Sequence, residues 1–147
     1  MQGSLFGAPD GLAATANIDG GSRGNPGPAG YGVRIETAAG AIVELKQSLP
    51  VATNNVAEYH GLLAALRWAA SNGVTNLRIR SDSELLVRQM KGEYRVKNPG
   101  LQPLYEEARD LARRIGRVTF EHVRREFNRD ADRLANEAMD EAMRPPV

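Results

Sequence analysis

The 147-residue chain contains no cysteine, which removes disulfides, thiolate catalysis and cysteine-bound zinc from consideration. Its longest unbroken run of apolar side chains is Leu62–Leu66, far too short to cross a bilayer. The opening residues, MQGSLFGAPDG, have neither the basic start nor the apolar stretch of a secretory signal, so a soluble cytoplasmic protein without a membrane partner is expected. Nor is there a surplus of charge: 19 basic residues against 18 acidic ones leave +1. Bulk electrostatics therefore gives no case for binding nucleic acid or membrane. With 41% apolar and 25% charged residues the composition is that of a folded protein rather than a disordered one. The length suits one domain able to bury its own core.

Charge is distributed less evenly than its sum implies. Seven arginines fall between Arg109 and Arg129 against three acids, Asp110, Glu121 and Glu126. Arg88, Lys91, Arg95 and Lys97 form a second basic run that carries one aromatic, Tyr94. Such runs are usually solvated faces; the functional alternative is two patches that touch phosphates.

The hydrophobic period divides the chain into elements. Residues 1–12 read as a flexible tail. Ala13–Asp19 reads as a central strand, followed by a glycine- and proline-rich segment, Gly20–Gly32, that reads as a punctuated turn rather than any element. Tyr31–Thr37 and Ala41–Leu49 alternate as strands around an Ala39-Gly40 turn. Thr53-Asn54-Asn55 supplies helix-capping chemistry, and Val56, Tyr59, Leu63, Leu66 and Ala70 recur at helical spacing up to Asn72-Gly73. Leu77–Ser81 reads as a strand, Asp82-Ser83 opens a helix through about Met90, Lys91–Gly100 is a loop, and Leu101–Ile115 is helical. Arg117–Val123 alternates as a strand, and Arg129–Met143 is a final helix before a tail at 144–147. No repeat or linker interrupts the series. One domain over residues 13–143 is expected, of α/β (α+β mixed) class, in the order β-β-β-α-β-α-α-β-α.

Four acids occupy related places in that order. Asp19 and Asp82 end strands, while Glu58 and Asp132 lie in the first turns of helices. Strand ends and adjacent helix starts line the ligand crevice of open α/β sheets. Four carboxylates brought together there would repel one another unless cations neutralised them. Oxygen-only donors select hard ions such as magnesium or manganese, and a pair of such ions serves phosphoryl displacement by water. Each placement also has a plain structural explanation, as an acid near a helix start or in a turn. The segment DGGSRGNPGPAGYG matches neither a dinucleotide-binding fingerprint nor a P-loop; it is a glycine-lined loop whose amides could approach a polynucleotide.

Together these residues resemble one family. Ile18-Asp19-Gly20-Gly21-Ser22-Arg23-Gly24-Asn25-Pro26-Gly27 and its continuation to Gly32 resemble the opening motif of type 1 ribonuclease H. Thr53-Asn54-Asn55-Val56-Ala57-Glu58 is similar to that family's TNNxxE helix start, Ser81-Asp82-Ser83 to its third motif, and Asp132-Arg133-Leu134-Ala135-Asn136 to its last. The four lie in order over roughly residues 14–143. The resemblance implies a ribonuclease H-like five-stranded mixed sheet of order 3-2-1-4-5 with helices on both faces. It implies cleavage of the RNA strand of RNA–DNA hybrids by two-metal-ion catalysis, with Mg2+ or Mn2+ as cofactor and 5′-phosphate and 3′-hydroxyl products. Asp19, Glu58, Asp82 and Asp132 would be the metal-binding carboxylates. Gly20, Gly21, Asn25, Asn54 and Asn55 would contact the substrate's minor-groove sugars and bases, where the 2′-hydroxyl distinguishes RNA from DNA, and Ser83 would also be substrate-binding. Thr53 would grip a DNA-strand phosphate, helped by Lys97 or Asn98, and Tyr94 would pack on a DNA sugar.

The chain also departs from the family pattern. Arg125, seven residues before Asp132, takes about the place of a loop histidine found in bacterial members; an arginine cannot shuttle protons near neutral pH, but it could hold a phosphate. His122 reads as a strand residue beside the core, His60 as a helix-surface residue and Trp68 as core. The basic protrusion is replaced by the short Lys91–Pro99 loop, as in the family's compact branch, and Val51 stands where the phosphate pocket has an arginine. A monomer is expected. The competing expectations are a non-catalytic hybrid- or duplex-binding module of the same fold and a nuclease that also cuts double-stranded RNA.

Overall fold

The computed structural model describes residues 12–144. Of the two expected tails, all but Leu12 and Arg144 lies outside the described residues, and Leu12 belongs to the first strand. Three antiparallel strands come first: β1 (Leu12–Ser22), β2 (Gly27–Thr37) and β3 (Ile42–Ala52). Helix α1 (Asn54–Ser71) leads to β4 (Val74–Ser81), which pairs parallel with β1. Helices α2 (Glu84–Met90) and α3 (Gln102–Ile115) precede β5 (Arg117–His122), parallel to β4, and α4 (Arg129–Met143) closes the fold. The sheet order is β3-β2-β1-β4-β5, the order the family resemblance implies. Among the described residues no helix is long and apolar enough to cross a membrane.

Alternation decides which side of β1 meets which helix. Ala16 and Ile18 point into the main core beneath α1 and α3, with Leu62, Leu63, Leu66, Leu77 and Ile79, all at or below 1% exposure. Each leucine or isoleucine among them contributes about 1.5–3 kcal/mol by leaving water. The opposite face of β1–β3 is covered by α4 through Leu134, Ala135 and Ala138. The stripe of α1 is broader than the sequence spacing indicates: Ala57, Leu62, Ala65 and Ala69 are buried as well, whereas Ala70 is exposed. The reason is that α1 lies between the sheet and α3 and so buries more than one side.

The glycine segment is the main correction. Gly20–Gly32 is not a turn: β1 runs on to Ser22 and β2 begins at Gly27, leaving only 23–26 as the connection. Glycine weakens a strand locally, but here it is required by what lies above and below. A Cβ on Gly20 would stand 2.5 Å from the Ala57 backbone of α1, and one on Gly32 2.5 Å from the Ala131 carbonyl of α4. Pro28, which has no N–H for the ladder, coincides with a register shift between Gly27 and Ala29.

Candidate active site

The parallel pairing of β1 and β4 places Ile18 opposite Ser81; β4 ends there while β1 continues through Asp19, still paired with Gly32 of β2, so Asp19 and Asp82 stand side by side where the β1–β4 ladder ends. The close approach at Gly20 sets the Ala57–Glu58 peptide of α1, past its first turn rather than in it as expected, against β1, which brings Glu58 over both. One oxygen from each of Asp19, Glu58 and Asp82 lies within 4.8 Å of the others. Asp132, in the first turn of α4, hydrogen-bonds the Asp19 carboxyl from the other face. Its oxygens do not join the tight cluster of three. The four sequence-identified acids thus line one open cleft of about 660 Å³, together with Gly20, Gly21, Asn54, Asn55, Ser83 and Arg125.

Electrostatics follows from that crowding. Burial, the Asp82 charge and the hydrogen bond with Asp132 push the Asp19 carboxyl up to about 8. Burial and Asp82 raise Glu58 to about 7. Asp82 is raised by burial, an effect opposed by a hydrogen bond from Asn128 and by the Arg125 charge. Such a set holds protons at neutral pH unless cations replace them. The donor atoms are all oxygen, the site opens to solvent, and the residues present fit one or two hard divalent ions.

Asn54 lines the cleft, whereas Asn25 is not among its lining residues and is tied to it through Asn54. The Asn54 backbone N–H donates to Asn25 Oδ1 at 3.0 Å, and the Ser22 N–H donates to Asn54 Oδ1 at 2.8 Å. With those oxygens fixed, what either side chain can offer a ligand is its Nδ2–H donors. Ser83 caps α2 by accepting the Leu86 N–H at 3.2 Å and also donates to the Glu58 carboxylate, so its hydroxyl serves the acid cluster.

Other sequence-identified residues stand elsewhere. Thr53 caps α1, its hydroxyl accepting the Val56 N–H at 3.2 Å. Tyr94 and Lys97 line a separate groove with Leu85, Glu93 and Arg95, and the Arg88 guanidinium lies over the Tyr94 ring at 5.4 Å. Asn98 accepts the Gly100 N–H at 2.8 Å and shapes the entry to α3. His122 requires a correction: it is the last residue of β5, but it is exposed and lines the acid cleft instead of lying beside the core. The next residue, Val123, takes the buried position. Trp68 packs against the core, and partial burial lowers the pKa of His60. Sequence reasoning passed over Ser22, Arg23, Arg124, Asn136 and Met139, which also line the cleft, and the buried Asn128. Ser22, Arg23 and Asn136 lie within the quoted motifs and were the legible ones.

Comparison with known proteins gives this arrangement a class. The sequence model of the family described as Reverse transcriptase-like matches residues 17–138. The chain is 52% identical over 133 residues to the bifunctional protein Rv2228c of Mycobacterium tuberculosis, spanning 89% of this chain and 36% of that protein. It is 41% identical over 128 residues to a ribonuclease HI of Halobacterium salinarum, spanning 86% of this chain and 64% of that one. The chain thus covers about a third of the length of the mycobacterial relative. Among solved structures, the N-terminal RNase H domain of Rv2228c superposes with a TM-score of 0.86 at 49% identity, covering 89% of this chain and 96% of that one. LC11-RNase H1 in complex with an RNA/DNA hybrid superposes with a TM-score of 0.81 at 39% identity, covering 89% and 99%. The chain belongs to the type 1 ribonuclease H family.

Proposed function

We propose that the protein is a divalent-metal-dependent endoribonuclease that hydrolyses the RNA strand of RNA–DNA hybrids. The observation that carries this is the convergence of Asp19, Glu58 and Asp82 within 4.8 Å, beside a rim of oriented amide donors in one open cleft. The family membership and the hybrid-bound relative support it.

In this proposal Asp19, Glu58 and Asp82 hold Mg2+ or Mn2+, with Asp132 completing the set from α4. Two such ions, when bound, supply a water of lowered pKa and neutralise charge around the phosphorus. The remaining work falls to the chain's own groups. Asn25 and Asn54 present N–H donors toward the 2′-hydroxyl oxygens and base edges of the minor groove, the features by which RNA is told from DNA. The backbone of Gly20 and Gly21 lines the cleft along which the sugar–phosphate backbone passes. The Arg125 charge, which acts on Asp82, faces the scissile phosphate. The Tyr94–Lys97 groove takes the DNA strand. A bond forms between water oxygen and phosphorus, and the bond from phosphorus to the 3′-oxygen breaks. The water gives up one proton and the departing 3′-oxygen takes one, leaving 5′-phosphate and 3′-hydroxyl ends.

The test is cleavage of hybrid, duplex RNA, duplex DNA and single-stranded RNA in Mg2+, in Mn2+ and in chelator, with product ends identified by mass. Hybrid cleavage that needs a metal and vanishes in Asp82→Asn is the expected result. Comparable cleavage of duplex DNA, or undiminished cleavage in chelator, would refute the assignment; hybrid binding without turnover would favour the non-catalytic module.

A further inference from the structure

Among the described residues, three polar side chains are buried, Ser81, Gln89 and Asn128, the last almost completely. Two have local duties. Gln89 receives the Tyr59 hydroxyl at 2.7 Å, and Ser81 Oγ accepts the Ser83 N–H at 3.0 Å. Asn128, 1% exposed at the start of α4, is engaged differently. Its Nδ2 donates to the Ile18 carbonyl at 2.9 Å, immediately before Asp19, and its side chain hydrogen-bonds the Asp82 carboxylate. Its backbone carbonyl accepts the Asp132 N–H at 3.0 Å. Its Oδ1 accepts Asn17 Nδ2 at 3.0 Å. One residue therefore touches the strand segment carrying Asp19, the side chain of Asp82 and the helical turn carrying Asp132.

A buried amide is tolerated only when its polar atoms are paired, and an apolar side chain of similar size would fill the same space. What the amide adds is direction: each of its donors ends on a group that locates a carboxylate of the cleft. We propose that Asn128 is a positioning residue whose side-chain amide sets the spacing of Asp19 and Asp82 and thereby the affinity of the cleft for divalent ions. Its link to Asp132 is through the backbone and is kept in any Asn128 variant. The proposal rests on the metal site proposed above, but it adds a residue that touches neither ion nor substrate. Groups that orient a metal's ligands in this way typically change metal affinity or activity about 10–100-fold when removed.

The experiment reads metal binding without turnover. The Mn2+ concentration giving half of the metal-induced rise in melting temperature is measured for wild type, Asn128→Ala and Asn17→Ala. Asn17→Ala removes the bond to Asn128 Oδ1 and leaves both Asn128 donors, so it controls for stability. The expected result is a midpoint raised about tenfold or more in Asn128→Ala, with Asn17→Ala less stable in chelator but unchanged in midpoint. If Asn128→Ala does not fold, Asn128→Ser, which keeps one donor, is used and a raised midpoint is again expected. An unchanged midpoint in the Asn128 variant, or an equal change in Asn17→Ala, overturns the positioning role while the metal site stands. A wild type with no Mn2+-dependent shift overturns the metal site and the proposal with it.

Discussion

Asp19→Asn should make the metal-free protein more stable while removing its activity, and the gain should grow with pH. The Asp19 carboxyl is raised from 3.8 to about 8, by burial first and by Asp82 second. A folded pKa above the unfolded value means the native protein keeps a proton that the unfolded chain releases. The associated stability is fully present below about pH 4 and is lost as pH rises toward about 8. At about 1.4 kcal/mol per unit, the whole displacement would amount to about 5–6 kcal/mol if none of it were relieved. The carboxyl is only partly buried and reaches the water of the cleft, so we take roughly 2 kcal/mol at pH 8 as the working figure. Asparagine retains the acceptor for the Gly20 N–H, which Asp19 Oδ1 takes at 2.9 Å, so the strand end need not move. For a domain of this size, roughly 2 kcal/mol corresponds to a rise of about 6 °C in melting temperature. The assay is thermal unfolding in chelator at several values between about pH 5 and pH 8, with wild type in parallel. A gain that is absent at pH 8, or that is the same at every pH, would refute the electrostatic account. Saturating Mn2+ should abolish or reverse the difference, because the cation relieves the same repulsion in the wild type.

Other expectations follow from the same geometry. Gly20→Ala places a Cβ 2.5 Å from the Ala57 backbone; unfolding should show a loss of about 1–3 kcal/mol or more, and the Mn2+-dependent shift should shrink because Glu58 moves away from Asp19. Lys97→Ala should weaken hybrid binding for all sequences alike and flatten its salt dependence, as for a phosphate contact; an unchanged salt slope in titrations would remove the side groove from the substrate path. Arg125→Ala and His122→Ala, compared in single-turnover kinetics, should both slow cleavage more than they weaken binding. If neither changes turnover, that wall of the cleft is merely solvated.

Local pattern was enough for much of this molecule. The final helix occupies Arg129–Met143 as its periodicity requires, Thr53 caps α1, and the order of elements follows from where the hydrophobic period changes between 2 and 3.6. The four acids were legible because they lie near strand ends or helix starts, positions that sequence marks with capping and turn chemistry, although Asp19 is inside β1 and Glu58 is past the first turn of α1. What a residue packs against was not legible. The glycines from Gly20 to Gly32 look like a turn in one dimension, since their purpose lies with Ala57 and Ala131 on helices far away in sequence. In sequence Asn128 is only the last residue of the connection before the final helix, until β1 and β4 are seen to meet beside it. The exposure of His122 depends on Val123 taking the buried position at the end of β5. Periodicity and capping are properties of a few neighbouring residues and so belong to the sequence. The spacing of carboxylates, their raised pKa values and the amide that holds them apart arise from surfaces brought together across the whole chain, and only the tertiary structure decided them.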